Sequence, residues 1–260
     1  RSTLFPYTTL FRSGSWISYH RLDSDRGFTL SVADLTAALS AHDCVILGNP
    51  NNPTGGLLSQ ADMVRLIKAA QKTATMVVVD ESFLDFCPDE GDYTVRDLVS
   101  RSDNLFVLRS LTKFYAIPGL RLGFAVAPLA LVKRLEESKD PWNVNLLAQK
   151  AGEAALGDRA YQRASRDFVQ REKAWLAKAL GDIPGVTVFP PTVNFLLLYL
   201  APPWPEAAEV SAAMRRRGIL LRDCANYPGL SSRYLRAAVR PREENRRLLD
   251  AFRACCPFSV

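Results

Sequence analysis

Three side chains within one short stretch have the types and spacing for covalent chemistry. Arg109-Ser-Leu-Thr-Lys-Phe-Tyr-Ala-Ile-Pro-Gly-Leu-Arg121 sets the hydroxyl of Ser110 three residues before Lys113 and the guanidinium of Arg121 eight residues after it. Ser110 can hydrogen-bond a phosphate oxygen and Arg121 can fork onto the same group. An amine held between them is placed to condense with an aldehyde, which makes Lys113 a candidate Schiff-base lysine. Taken alone the stretch leaves a second chemistry open, because Ser-x-x-Lys also serves serine acyl-transfer enzymes.

The elements that must position these groups alternate helix and strand. A short helix over residues 31–40 starts at Ser31, and the apolar strand Cys44-Val-Ile-Leu47 leads into the turn Gly48-Asn-Pro-Asn-Asn-Pro-Thr-Gly-Gly56. Ser59 caps an amphipathic helix to about Lys72, and Met76-Val-Val-Val-Asp80 reads as a buried strand ending in a carboxylate. A helix near Val95 to Val99 precedes the strand Leu105-Phe-Val-Leu108, and Leu122 to Ala127 follows the lysine stretch. Continuous apolar strands separated by helices imply a mostly parallel sheet covered on both faces, an α/β three-layer sandwich. Ligands of such sheets sit beyond the strand C-termini, where Asn52, Asp80 and Ser110 all fall. A boundary is expected near Asp140-Pro-Trp-Asn-Val-Asn145. Beyond it come a long helix from Arg159 to Leu180, strands at 186–189, 194–200, 219–222 and 234–239, a helix from Glu206 to Arg217 and a last helix from Arg242, the order of a smaller C-terminal α+β domain.

Composition limits the function classes. The chain has 260 residues, 48% hydrophobic and 23% charged, with no apolar run long enough to span a bilayer. Five cysteines, an odd number without metal-ligand spacing, fit a reducing cytoplasm better than a disulfide framework. His20 and His42 lie far from any acid or nucleophile pattern, so no metal is expected. The formal charge of +6 is concentrated in arginines of the last third. They fall on separate predicted elements with few aromatics among them, which favours an anionic small substrate over nucleic acid. Residues 1–13, with Thr3-Leu-Phe-Pro-Tyr-Thr-Thr-Leu-Phe-Arg-Ser13, back-translate into a common sequencing-library adapter. They are set aside as non-native, with the expectation that the natural chain extends further upstream.

The motifs Asn-Asn-Pro-Thr-Gly, Val-Val-Asp-Glu-Ser-Phe, Ser-Leu-Thr-Lys, Pro-Gly-Leu-Arg-Leu-Gly and Arg-Glu-Glu-Asn occur here in that order. Together they resemble the fold-type I pyridoxal-phosphate aminotransferases, class I/II, and within them the branch of threonine-phosphate decarboxylase and histidinol-phosphate aminotransferase. The resemblance covers residues 14 to about 252. It implies a pyridoxal 5'-phosphate-binding large domain over 14–150, lacking its N-terminal part, and a small domain over 151–260. It also implies roles. Lys113 would carry the cofactor, Asp80 would pair with the protonated ring nitrogen, Asn52 would donate to the ring phenolate oxygen, and Ser110 and Arg121 would hold the phosphate. Where neighbouring aminotransferases place a tyrosine that reaches the phenolate oxygen, this chain has Phe83.

At the substrate end, the resemblance matches Arg236 to the arginine that binds the substrate carboxylate and Arg222 to one that helps hold a distal phosphate. A surface ion pair is the alternative for Arg222, and a structural role is as good a reading for Arg240. The segments around Asp85-Phe86, 140–145 and 222–230 look more like the decarboxylase. The expected activity is conversion of L-threonine O-3-phosphate to (R)-1-aminopropan-2-ol O-2-phosphate, a step of cobalamin synthesis, in a cytoplasmic homodimer. Amino transfer to imidazole-acetol phosphate and a cofactor-binding fragment without turnover are the alternatives.

Overall fold

Short runs of Val, Ile and Leu build the first sheet. Cys44–Gly48 (β1), Met76–Asp80 (β2), Leu105–Ser110 (β3) and Gly123–Val126 (β4) lie in the order β1-β2-β3-β4. The first three are parallel, with Val45 opposite Val77 and Val79 opposite Val107, whereas β4 runs antiparallel to β3. This computed structural model describes residues 16–258, so the expectation for residues 1–13 lies outside the described residues.

Helix α1, Val32–Ala38, starts at Ser31 as expected, and α2, Gln60–Lys72, starts at Ser59, whose hydroxyl oxygen accepts from the backbone of Asp62 at 3.1 Å. That contact satisfies one of the amide donors a helix start leaves open. Met63, Leu66, Ile67 and Ala70 of α2 recur at helical spacing and are buried, in one core with Val77, Val79, Leu105 and Val107. The segment expected to be helical near Val95 is a 3-10 turn, Arg96–Arg101. Two helices were not foreseen, α4 (Leu129–Ser138) and α5 (Leu146–Gly157). The apolar face of α4 is not buried, and Trp142, Leu146 and Leu147 are exposed.

The second sheet contains Val186–Val188 (β5), Phe195–Leu200 (β6), Arg222–Asp223 (β7) and Tyr234–Ala238 (β8) in the antiparallel order β5-β6-β8-β7. The strand expected over 219–222 is thus shorter and starts at Arg222. One face, with Leu196, Leu198, Leu235 and Ala237, joins a core with Leu176 and Leu180 of α6 (Arg159–Gly181), Val210 and Met214 of α7 (Ala207–Arg216), and Leu249 and Phe252 of α8 (Arg242–Arg253). The other face carries Leu197 and Tyr234, clustered with Phe28, Cys224 and Tyr227. Cover on both faces explains why β6 is apolar without alternation. Glu243 and Glu244 open α8, where negative charge suits the helix N-terminus, and Arg242 pairs with Glu172 at 2.8 Å.

By compactness the chain forms two units. One contains Leu30–Asn52 and Gly56–Phe168, and the other contains the described residues up to Thr29, the turn tip Pro53–Gly55 and everything from Val169. The division falls inside α6, so no break in secondary structure marks it. Leu66 is fully buried in the first core, and its truncation leaves a cavity. Leu66→Ala should cost about 3 kcal/mol, read as a lower denaturant midpoint at unchanged slope. A loss under about 1 kcal/mol would mean that α2 is not packed as described.

Candidate active site

The ends of parallel strands gather the candidate residues. Asp80 is the last residue of β2 and lies opposite Gly48 of β1 and Leu108 of β3. Ser110 is the last residue of β3, and the loop bearing Asn52 leaves from the end of β1. That loop is shaped by a residue the sequence reading passed over. Asn49 is buried, donates from Nδ2 to the Leu58 carbonyl at 3.1 Å and accepts from the Leu58 amide at 2.8 Å, clasping both ends of the loop. Its own amide donates to the Asp80 carbonyl at 3.0 Å, which ties the Asn52 loop to the strand bearing the carboxylate. The Asp80 carboxylate accepts from the Ser82 amide at 2.9 Å.

Lys113 stands on α3, a single turn over Leu111–Phe114 capped by Ser110, whose oxygen accepts from the Thr112 amide at 3.4 Å. The chain then folds back, and the Leu111 amide donates to the Leu122 carbonyl at 3.1 Å while Gly123 pairs with Ser110. A side chain at Gly123 would stand 2.6 Å from the Arg109 carbonyl oxygen, so this close return requires glycine. Arg121, just before it, adopts the left-handed backbone region at φ 54°, and its guanidinium donates to the Pro118 carbonyl at 3.1 Å. The aromatic ring of Phe114 is buried edge-on to Phe86 and Tyr115, and Tyr161 donates its hydroxyl to the Phe114 carbonyl at 2.8 Å. These contacts hold the lysine turn from its inner side.

The electrostatics single out Lys113. Much of its side chain faces solvent, but Nζ lies 4.9 Å from the centre of the Phe83 ring. Partial burial of the amine lowers its pKa below the ordinary lysine value; Arg121 lowers it further and Asp80 opposes the shift. Amine, carboxylate and guanidinium thus share one electrostatic neighbourhood, and depressed basicity gives a lysine more of the neutral, nucleophilic form.

Arg222 and Arg236 belong to the other unit, where they face each other across β7 and β8. Arg222 donates to Asn226 Oδ1 at 3.1 Å and lies over the Tyr227 ring, while Arg236 lies 5.0 Å from the Phe195 ring centre. Beside them burial pushes the Cys224 thiol up to about 12 even though both arginines pull it down. Arg240 pairs with Glu244 at 2.9 Å on the surface. The sequence reading also passed over the buried Arg109, which touches Glu81, Asp85 and Glu90. The available signal was a charge one position after Asp80 and another one position before Ser110, each at the end of an apolar run.

The family model described as aminotransferase class I and II matches residues 8–252. The chain belongs to that family. It is 41% identical over 94% of its length to a threonine-phosphate decarboxylase of Salmonella typhimurium, of which it covers 66%. Among solved structures it is similar to the L-threonine-O-3-phosphate decarboxylase from Porphyromonas gingivalis, with a TM-score of 0.74, 31% identity, and coverage of 82% of this chain and 64% of that one. It is also similar to the histidinol-phosphate aminotransferase from Clostridium acetobutylicum, with a TM-score of 0.84, 27% identity, and coverage of 88% and 69%. The chain spans about two thirds of the length of the curated relatives it matches, 64% and 66% for two of them. The fold is that of these type I enzymes, a mostly parallel sheet flanked by helices.

A direct test of the site needs no cofactor. Competitive acylation should show Lys113 titrating below the ordinary lysine value; Asp80→Asn should lower its midpoint further and Arg121→Gln should raise it. A midpoint indifferent to both substitutions would separate the three residues.

Proposed function

We propose that this chain is the greater part of a pyridoxal 5'-phosphate-dependent lyase that decarboxylates L-threonine O-3-phosphate to (R)-1-aminopropan-2-ol O-2-phosphate, a step of cobalamin biosynthesis. The observation that carries the cofactor reading is Lys113, at the turn after β3 with its amine near the Phe83 ring, whose proton affinity is lowered by partial burial and by Arg121 against the pull of Asp80. The donor set fits this group: an amine for its aldehyde, a carboxylate for its cationic nitrogen, an amide from Asn52 for its ring oxygen, and Ser110 with Arg121 for its phosphate. When bound, pyridoxal phosphate supplies a ring that accepts the electron pair released at the substrate α-carbon.

The chain's own residues do the rest. Lys113 would hold the cofactor at its aldehyde carbon and, once the substrate amine has taken that place and freed the lysine amine, would deliver a proton to the substrate α-carbon. Asp80, oriented by the Ser82 amide, keeps the ring nitrogen protonated. Phe83 offers the lysine an apolar ring and no hydroxyl, so one donor to the phenolate oxygen is absent. Arg236 takes the substrate carboxylate and Arg222 the distal phosphate. The 41% identity to the Salmonella typhimurium decarboxylase favours loss of carbon dioxide over amino transfer. Histidinol-phosphate aminotransferase is the second reading, favoured by the similarity to the Clostridium acetobutylicum structure.

We further read 14–150 as the cofactor-binding domain and 151–260 as the small domain of a homodimer. Five cysteines, an odd number with none in a disulfide among the described residues, favour the reducing cytoplasm, and among the described residues no helix is long and apolar enough to cross a membrane.

The natural chain, loaded with cofactor and given threonine phosphate, should release carbon dioxide without a keto-acid acceptor. Glutamate-dependent amination of imidazole-acetol phosphate without that release would establish the aminotransferase instead. Lys113→Ala should abolish turnover. Asp80→Ala should cost about two to three powers of ten, since one preorganised charge in such sites is worth about 3 kcal/mol or more. A near-normal rate in Asp80→Ala would refute its assignment.

A further inference from the structure

We propose that Arg109 is a positioning residue whose buried guanidinium, gripping Glu81, Asp85 and Glu90, fixes the places of Asp80, Phe83 and Ser110 around Lys113. The inference rests on the reading of these residues as a cofactor site and adds to it a group that touches neither cofactor nor substrate.

The placement follows from the chain. Glu81 comes directly after Asp80 and Arg109 directly before Ser110, and successive residues of a strand point to opposite faces. As the site residues turn one way, their neighbours turn inward and meet. Arg109 Nε lies 3.0 Å from Glu81 Oε2, a charge contact not aligned as a hydrogen bond, and Arg109 Nη1 lies 3.4 Å from Asp85 Oδ1. Nη2 donates to Glu90. The Glu81 side chain is fully buried, and its carboxylate accepts from the Thr94 hydroxyl and the Val95 amide, each at 2.8 Å.

Phe83 lies between Glu81 and Asp85, so both ends of the segment that sets the Phe83 ring near Lys113 Nζ are held by one cation. The outer charges balance the cluster: Arg96 and Arg166 each approach Glu90 to 3.7 Å, and Arg166 also donates to the Asp85 carbonyl at 2.8 Å. Arg166 lies 5.4 Å from the ring centre of Phe114, the residue after Lys113, which links the cluster to the lysine turn itself. Burial pushes the Glu81 carboxyl up and Arg109 opposes that shift, as expected for a carboxylate that depends on its partner.

A stabilising cluster without a positioning role would lower stability alone when disturbed, and the test separates the two. Glu81→Gln keeps the size and, through its one carbonyl oxygen, the bond accepted from the Val95 amide, but it puts a donating NH2 where Oε2 faces Thr94 and Arg109 and removes the charge. Val99→Ala, in the core of the same unit, serves as a destabilised control. In the natural chain, pyridoxal phosphate titration should show Glu81→Gln binding about tenfold more weakly, with Val99→Ala within about twofold of wild type at a comparable loss of melting temperature. In the cofactor-free protein the acylation midpoint of Lys113 should fall in Glu81→Gln, as Asp80 no longer stands where it offsets burial. If that variant does not fold, Arg109→Lys puts the same question, because an ammonium cannot fork onto three carboxylates. Unchanged affinity and midpoint in the charge variant, or equal losses in Val99→Ala, would overturn the inference. A wild-type protein that binds no pyridoxal phosphate would remove the cofactor reading and this inference with it.

Discussion

A guanidinium inside a protein constrains everything that touches it. The Arg109 side chain is 3% exposed and that of Glu81 0%, and moving each charge from water into the interior costs several kcal/mol unless its partners are in place. Here the partners of Arg109 come from the residue just past β2 and from the loop that follows it, while Thr94 and Val95 complete the shell of Glu81. Removing one partner from such a cluster typically costs about 3–5 kcal/mol, because the other charge is left buried and uncompensated. The strand ends are therefore joined by more than ladder hydrogen bonds, and the residues one step along the chain inherit that rigidity.

The parallel sheet was legible because its physics is local. Runs such as Val77-Val-Val79 can only be buried on both faces, and Ser59 and Ser31 cap helices within their own sequence neighbourhood. The candidate site was open to proposal for a related reason, since its residues fall at strand ends in a fixed order. What escaped depends on partners distant in the chain. Arg109 reads as one more surface cation until Glu81 and Asp85 are brought to it. The antiparallel sense of β4 is set by the tight return at Gly123, where a close approach to Arg109 decides the path. Helix α4 carries an amphipathic pattern but buries no residue.

The second unit presents a different electrostatic situation. Arg222 and Arg236 stand directly opposite each other on neighbouring strands, an arrangement that like charges ordinarily make unfavourable. Each is braced by local contacts, Arg222 by Asn226 and Tyr227 and Arg236 by the Phe195 ring. A pair of cations held together in this way favours an anion between them, which suits the doubly anionic substrate class proposed.

Cys224 sits in the field of both arginines, and two neighbouring cations would ordinarily acidify a thiol and make it a target for peroxide and alkylating agents. Burial wins instead and holds the thiol at about 12. At neutral pH the thiol then stays protonated, which keeps its reactivity low. Electrophilic probes and oxidants should pass Cys224 by, and a covalent inhibitor of this face would have to reach for something other than sulfur.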